Sequence, residues 1–297
     1  MRAEPAAEVG ALGLQLEVET GLGRGGLALD RLVAAAALIE SAGGARLDGA
    51  WSHLAAPDDG ARTGAQVERF EAAVRRLADG GVGVPLRHLA ASGGVLTGVP
   101  AYEAVRPGLA IYGIVPDVME RPAGGLAAEL VPVMALRARP VRVADLPTGW
   151  GVSYGPSFET ARPSRIATLP LGYGDGWSRS LSNRAEALVR GRRVPLVGTV
   201  AMDAIMADVT DVPGPPVDVD DEFTLLGEQG DEQITAGELA LARATISWEV
   251  VTVMSRRLPR VYHAASGPTG MRTLTVGDDS WPAANSGTAT SSPPWRP

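Results

Sequence analysis

The chain has 297 residues, of which 45% are hydrophobic and 21% are charged, and its net charge is −7. This length and composition suffice for one large or two ordinary globular domains, and the negative charge argues against binding to nucleic acids or other polyanions. The absence of cysteine excludes disulfides, thiolate metal sites and cysteine nucleophiles.

Further absences narrow the chemistry. Apart from histidine, every basic residue is arginine. The chain therefore has no lysine side chain for a P-loop or for a Schiff base. The three histidines, His53, His88 and His263, lack ligand spacing, and we expect no metal site. The N-terminus has no apolar signal core, and the run from Leu32 to Ile39 is too short to span a bilayer. We therefore expect a cytoplasmic protein without membrane contact.

Short apolar strands alternate with amphipathic helices over residues 1–115. One helix follows Leu27, and a second is expected to begin with Thr63 as its cap and to end at Gly80. Such βα repeats imply a parallel sheet. Because a (β/α)8 barrel takes roughly 250 residues, four βα units correspond to half a barrel or a small open sheet. The predicted strands are Leu14–Glu19, Leu47–Leu54, Pro85–Ser92 and Gly108–Ile114.

The pattern changes after residue 130, where short strands are separated by Gly, Pro and Asp. We predict a partial barrel over 1–130, the C-terminal half, and a small mostly-β domain over 131–263. Two helices close this domain, with Thr235 opening a capping box and Ser247 as the second cap. The Ser/Thr/Gly/Pro-rich residues 264–297 lack periodicity, and we expect them to be disordered. The fold class is thus α/β plus β.

Glycine-rich and aromatic motifs carry the functional signal. Taken by itself, the glycine-rich motif Glu19–Leu27 is either a phosphate-binding turn at a helix N-terminus or a flexible turn between a strand and a helix. Together and in this order, the motifs closely resemble the alanine racemase family, the pyridoxal-phosphate (PLP) enzymes of fold type III, from about Gly13 to His263. The motifs are ETGLGRGGL (Glu19–Leu27), VRPGLAIYG (Val105–Gly113), VSYG (Val152–Gly155), LGYGDGW (Leu171–Trp177) and VGTVAMD (Val197–Asp203).

The resemblance implies an N-terminal barrel that holds PLP at its mouth, a β domain and a head-to-tail homodimer. In that family, two bases flank the Cα of a small amino acid. One base is a tyrosine supplied by the partner's β domain, which Tyr154 matches; the other is the lysine that carries PLP. The alternative for Tyr154 is a buried structural tyrosine.

Other site residues follow from the same resemblance. Arg106 matches the arginine at the pyridine nitrogen, Arg24 the arginine beside the phenolic oxygen and the substrate carboxylate, and His53 the histidine near the ring. Without the family, these would be two solvated arginines and a structural histidine. The phosphate-binding positions match Ser92, Gly108 and Leu109, and the substrate-binding positions match Tyr173, Met202 and Asp203, of which Asp203 is alternatively a turn residue.

The chain also departs from the family pattern. No stretch resembles the family's lysine motif, and the resemblance starts near the fourth barrel helix, which predicts that the first barrel strands are missing. Glu17 occupies the place of a carboxylated lysine of the family. Its negative charge either holds Arg24 as that group does, or the substitution has no functional meaning. Ala91 replaces an asparagine, and Trp248 replaces a tyrosine that reaches the phosphate.

Three functions follow from these observations. The first is a PLP-dependent racemase that interconverts L- and D-alanine, supplying D-alanine for peptidoglycan, when the chain is completed by an N-terminal segment. The second is a non-catalytic partner that complements a racemase or pairs with a chain carrying the missing half-barrel. The third is an inactive remnant. The motifs do not separate alanine from serine as substrate, and we expect the chain by itself not to racemise alanine.

Overall fold

The structure is a computed structural model that describes residues 12–117, 119, 125–274 and 279–280. The chain divides into two units, residues 1–134 and 135–297. No helix within the described part of the chain is both long enough and apolar enough to cross a membrane.

The first unit contains a parallel sheet in the order β1-β2-β3. Its strands are β1 (Leu12–Glu17), β2 (Ala45–Trp51) and β3 (Leu86–His88). Strands alternate with helices, as in a (β/α) barrel, which confirms the predicted fold class for this half. Because the strands are parallel, their carboxyl ends meet at one edge of the sheet. The helices are α1 (Leu32–Ser41), α2 (Gly60–Asp79), α3 (Ser92–Leu96) and α4 (Leu126–Glu129).

The core of this unit lies between the strands and helices α1 and α2. The predicted apolar face of α2 is confirmed, since Phe70 and Leu77 are fully buried and Val67 and Val74 pack against them. Spacings of three and four residues place these side chains on one stripe of the helix. The buried apolar residues from the strands and from α1 are Leu16, Val18, Leu32, Ala36, Leu47, Ala50 and Leu54.

The predicted fourth strand over Gly108–Ile114 is wrong. Residues Leu109–Tyr112 form a 3₁₀ turn that ends at Gly113, whose φ is +71°. The hydroxyl of Ser92 accepts the N–H groups of Gly108 and Ala110. These donors are therefore not available to a sheet, and a turn forms where the apolar pattern favoured a strand.

Helix α2 begins earlier than its predicted cap. Asp59 precedes the helix and its carboxylate accepts the N–H of Arg62 at 3.0 Å, which makes it the N-cap. Thr63 lies buried in the first turn and donates to the carbonyl of Ala56. The predicted end is confirmed at Gly80.

The second unit contains an antiparallel sheet in the order β11-β10-β7-β8-β9-β6-β5, with β4 also pairing with β10. Side chains such as Trp177, Phe223 and Leu225 fill its core. The strands are β4 (Leu136–Ala138), β5 (Arg142–Leu146), β6 (Ser164–Leu169), β7 (Glu186–Val189), β8 (Arg192–Val197), β9 (Ile205–Asp208), β10 (Phe223–Gln229) and β11 (Glu232–Ile234). This sheet confirms the predicted β region.

Two helices and a hairpin follow this sheet. Helix α5 (Ala236–Arg243) is capped by Thr235, as predicted. Helix α6 (Ser247–Thr252) starts at Ser247, which is not its side-chain cap, because the residue before the helix is Ile246.

The range 264–297 was expected to be disordered, and this is wrong for its first part. Strand β13 (Gly267–Arg272) pairs with β12 (Arg260–Ala264), and β14 (Asp279–Ser280) adds to β13. Gly267, at φ +110°, lets the chain reverse, and backbone pairing then needs no apolar period. Within that range, residues 275–278 and 281–297 lie outside the described residues.

Candidate active site

Arg106 lies at the carboxyl ends of the first unit's strands. Its guanidinium donates to the carbonyls of Ser52 at 2.7 Å, His88 at 2.9 Å and Leu89 at 3.3 Å. It also lies 4.9 Å above the ring of Trp51, within the range of a cation–π contact. These contacts fix the guanidinium by backbone carbonyls at or just after the ends of β2 and β3, so the sheet register sets its position.

His88 accepts a side-chain hydrogen bond from Arg106. Arg106 donates to its Nδ1 at 2.6 Å, so Nδ1 must be the acceptor and Nε2 must carry the proton, which it donates to Oε1 of Gln15. The imidazole stacks on Trp51, with ring centroids 6.2 Å apart. Burial lowers the pKa of His88, and the charge of Arg106 lowers it further. This imidazole is therefore held neutral beside a cation.

His53, Arg24 and Glu17 lie at the same edge of the sheet as Arg106. Nδ1 of His53 lies 3.4 Å from Arg106, and its pKa is lowered by burial, then by Arg24 and then by Arg106. Arg24 is 60% exposed and forms an ion pair with Glu17 at 3.9 Å. Burial lowers the pKa of Arg106, while the charge of Glu17 acts in the opposite direction. Glu17 thus supplies a negative charge that acts on both Arg24 and Arg106.

Ser92, Gly108 and Leu109 meet in one turn beside this cluster. The Ser92 hydroxyl accepts the N–H of Gly108 at 2.8 Å and of Ala110 at 3.1 Å. Leu109 is buried at the start of the 3₁₀ turn. Because Gly108 and Ala110 already donate their N–H groups to Ser92, the donors that this turn offers to a phosphate oxygen are the Ser92 hydroxyl hydrogen and the N–H of Leu109. The aldehyde of PLP, which the family binds through a lysine, has no such side chain among these 297 residues.

A buried polar network behind His53 was missed by the sequence reasoning. Gln66, Thr20 and Ser52 are each at most 2% exposed and are joined by hydrogen bonds. A signal was present in the chain: Gln66 occupies the same stripe of α2 as Phe70 and Leu77, where an apolar residue is expected.

In the second unit, Tyr154 lies at the tip of the segment 149–160 and is 74% exposed. The alternative of a buried structural tyrosine is therefore wrong. Its neighbours Ser153 and Gly155 have φ values of +67° and +52°, so the backbone turns sharply on both sides of it. The Ser153 hydroxyl donates to the carbonyl of Thr199 at 2.5 Å, which anchors this tip.

Tyr173 and Met202 lie on two adjoining turns. The N–H of Tyr173 donates to Ala201, and the N–H of Gly174 donates to Met202 at 2.8 Å. Tyr173 is 44% exposed and Met202 is 56% exposed. Asp203, which follows Met202, is exposed as well. The second unit therefore presents a tyrosine tip and an exposed apolar turn, tied to one another through the segment 199–202.

Comparison with known proteins assigns both units to one family. The family model "Alanine racemase, N-terminal domain" matches residues 2–116, and "Alanine racemase, C-terminal domain" matches residues 133–262. An alanine racemase of Desulfosudis oleivorans is 38% identical over 272 residues, which cover 86% of this chain and 68% of that protein. The chain belongs to the alanine racemase family.

Other relatives of the family give the same result. An alanine racemase of Symbiobacterium thermophilum is 42% identical over 84% of this chain. The crystal structure of alanine racemase from Bacillus anthracis with bound L-Ala-P has a TM-score of 0.80 at 31% identity, covering 89% of this chain and 67% of that one. That of Streptomyces coelicolor A3(2) has a TM-score of 0.76 at 36% identity, covering 85% and 67%.

The chain spans about two thirds of the length of these racemases, 65% in the case of Symbiobacterium thermophilum. The match to the N-terminal domain model begins at residue 2, and it lends no support to the expectation that the first barrel strands are missing.

Proposed function

We propose that this chain carries PLP- and substrate-binding residues of an amino-acid racemase that acts on alanine and works as a head-to-tail homodimer. One observation carries the proposal: the barrel unit brings Arg24, His53 and Arg106 to one edge of its sheet, beside the Ser92 turn. The relatives that match most of the chain are named alanine racemases, which supports the same activity.

The barrel unit would hold the cofactor. The Ser92 hydroxyl and the N–H of Leu109 suit the phosphate, with Gly108 holding Ser92 in place through its own N–H, and Arg106 suits the pyridine nitrogen. The two Nη atoms of Arg106 are used by protein acceptors, whereas its Nε–H donates to none of the described residues, and we assign that donor to the ring nitrogen. Because arginine only donates, the ring nitrogen stays unprotonated. PLP, when bound, withdraws electrons from the amino acid and acidifies its Cα–H.

The β unit would act on the substrate. We assign Tyr154 as the base on one face of the Cα, because its exposed hydroxyl lies at a tip that a partner's barrel can receive. Met202 and Asp203 would hold the substrate carboxylate together with Arg24, and Tyr173 would line the entrance. The second base in the family is a lysine, which these 297 residues do not contain. We therefore expect proton transfer on one face only.

Deuterium exchange tests this proposal. The full chain is incubated with PLP and with either L- or D-alanine in D2O, and exchange of the Cα–H is followed by NMR. We expect exchange with one enantiomer only, without racemisation, and its loss in Tyr154→Phe. Tyr262→Phe is the matched control, since Tyr262 is another exposed tyrosine of the same unit. Equal exchange in wild type and Tyr154→Phe contradicts the assignment.

The missing lysine favours a second candidate, a non-catalytic partner that lends Tyr154 to a complete racemase. To test it, the chain is mixed with a complete alanine racemase whose matching tyrosine has been replaced by phenylalanine. We expect restored activity with the wild-type chain and none with Tyr154→Phe. No activity with either chain, despite association on size-exclusion chromatography, contradicts this role.

A further inference from the structure

Gln66 connects three chain segments inside the first unit. It lies on the buried face of α2 and is 1% exposed. Its Oε1 accepts the N–H of Ala55 at 2.8 Å, while its Nε2 donates to the carbonyl of His53 at 3.1 Å and to the hydroxyl of Thr20 at 3.0 Å. One amide thus joins α2 to the chain after β1 and to the chain after β2.

The direction of these hydrogen bonds is forced. The Ser52 hydroxyl must donate to the carbonyl of Val18 at 2.7 Å, because a carbonyl only accepts. The hydroxyl of Thr20 then donates to Ser52, which leaves a lone pair of Thr20 for the Gln66 amide. The amide oxygen must face the N–H of Ala55. Every part of the side chain is committed, so few other residue types satisfy these partners.

These bonds end on residues that contact the site. His53, whose carbonyl Gln66 binds, places its ring 3.4 Å from Arg106. Ser52, whose hydroxyl belongs to the network, gives its carbonyl to Arg106 at 2.7 Å. We propose that Gln66 is a positioning residue of the site, which holds the 52–55 segment so that His53 and the Ser52 carbonyl meet Arg106.

The geometric part of this proposal concerns the chain without any ligand, and its consequence for PLP rests on the proposed function. Gln66→Met removes the hydrogen bonds and keeps a flexible, uncharged side chain of similar length. Gln229→Met is the matched control, because Gln229 also bridges two backbone groups, Gly191 and Glu222, but in the second unit.

Nitrogen-15 NMR of labelled histidine is the first measurement. The chain has three histidines, so their signals are assigned by single substitutions. Burial, Arg24 and Arg106 lower the pKa of His53. When its segment relaxes away from these groups, we expect the His53 titration midpoint to rise in Gln66→Met and to stay unchanged in Gln229→Met. A change in thermal stability by itself would show only a structural role.

Equilibrium dialysis with PLP is the second measurement. We expect the dissociation constant to rise about tenfold in Gln66→Met and to be unaltered in the control, as for the loss of one to two hydrogen bonds. If Gln66→Met does not fold, Gln66→Leu is a second uncharged variant that removes the same hydrogen bonds. A folded variant with wild-type His53 titration and PLP affinity overturns the proposal. If wild-type protein binds no PLP, the proposed function fails, and the His53 titration still decides the role of Gln66.

Discussion

Replacing Arg106 by methionine tests the centre of the site. The substitution removes three bonds to carbonyls, one bond to His88 and the contact over Trp51. Each hydrogen bond contributes about 1 kcal/mol net, and the cation–π contact contributes about 0.5–1 kcal/mol. Relief of the buried charge offsets part of this, so we expect the first unit to lose about 3 kcal/mol of unfolding free energy.

The assay must follow the first unit separately, because two units need not unfold together. Trp51 is the single tryptophan of residues 1–134, so the fluorine-19 signal of 5-fluorotryptophan at this position reports on that unit in a urea titration. In the same variant, the pKa of His88 should rise, because the nearby positive charge that lowers it is gone.

Arg106→Lys separates charge from hydrogen bonding. A lysine keeps the positive charge beside His88 but lacks the planar fork of donors. We expect the pKa of His88 to remain low in this variant while the unfolding free energy falls, by less than in Arg106→Met. The reasoning is refuted if Arg106→Met loses less than about 1 kcal/mol and leaves the His88 titration unchanged, since the carbonyl contacts would then carry no energy.

Four further predictions concern the fold, two histidines of the first unit and the tyrosine tip. Gly113→Ala should destabilise the first unit by at least about 2 kcal/mol, because φ is +71° and a Cβ would lie 1.7 Å from the carbonyl oxygen of Val131; urea unfolding that matches the wild type would contradict this. Gly64→Ala, inside α2 with open space around it, should instead raise stability by about 0.5–1 kcal/mol in the same assay. The free energy of unfolding should fall as the pH drops below about 6.5. His53 and His88 have lowered pKa values in the folded state, so below this pH the unfolded chain binds more protons than the folded chain. A melting temperature that does not change between about pH 7 and pH 5 would argue against neutral imidazoles. The free energy of unfolding of Tyr154→Phe should lie within about 0.5 kcal/mol of that of the wild type, because the side chain is 74% exposed. A larger loss of unfolding free energy would mean that the hydroxyl has a structural partner.

Local patterns predicted the elements whose residues interact with near neighbours in the chain. The stripe of Phe70 and Leu77 on α2, the end of that helix at Gly80 and the cap at Thr235 all follow from contacts within one or two turns. Where a distant group competes for the same backbone donors, the pattern misleads. The apolar stretch that begins at Gly108 favours a strand, but Ser92, at the start of α3, accepts two of its N–H groups instead.

The candidate site shows the same division. The order and types of the motifs, with Arg24, Arg106 and Tyr154 among them, were sufficient to indicate the family and the chemistry it uses, because those residue types are needed at those places in the chain. The sequence also shows directly that no lysine is present. Which side chains touch was decided by the parallel register of β1, β2 and β3, since it aligns Trp51 with His88 and thereby creates the acceptors around Arg106. Hydrogen bonds between segments far apart in the chain depend on that register, and no local propensity encodes them.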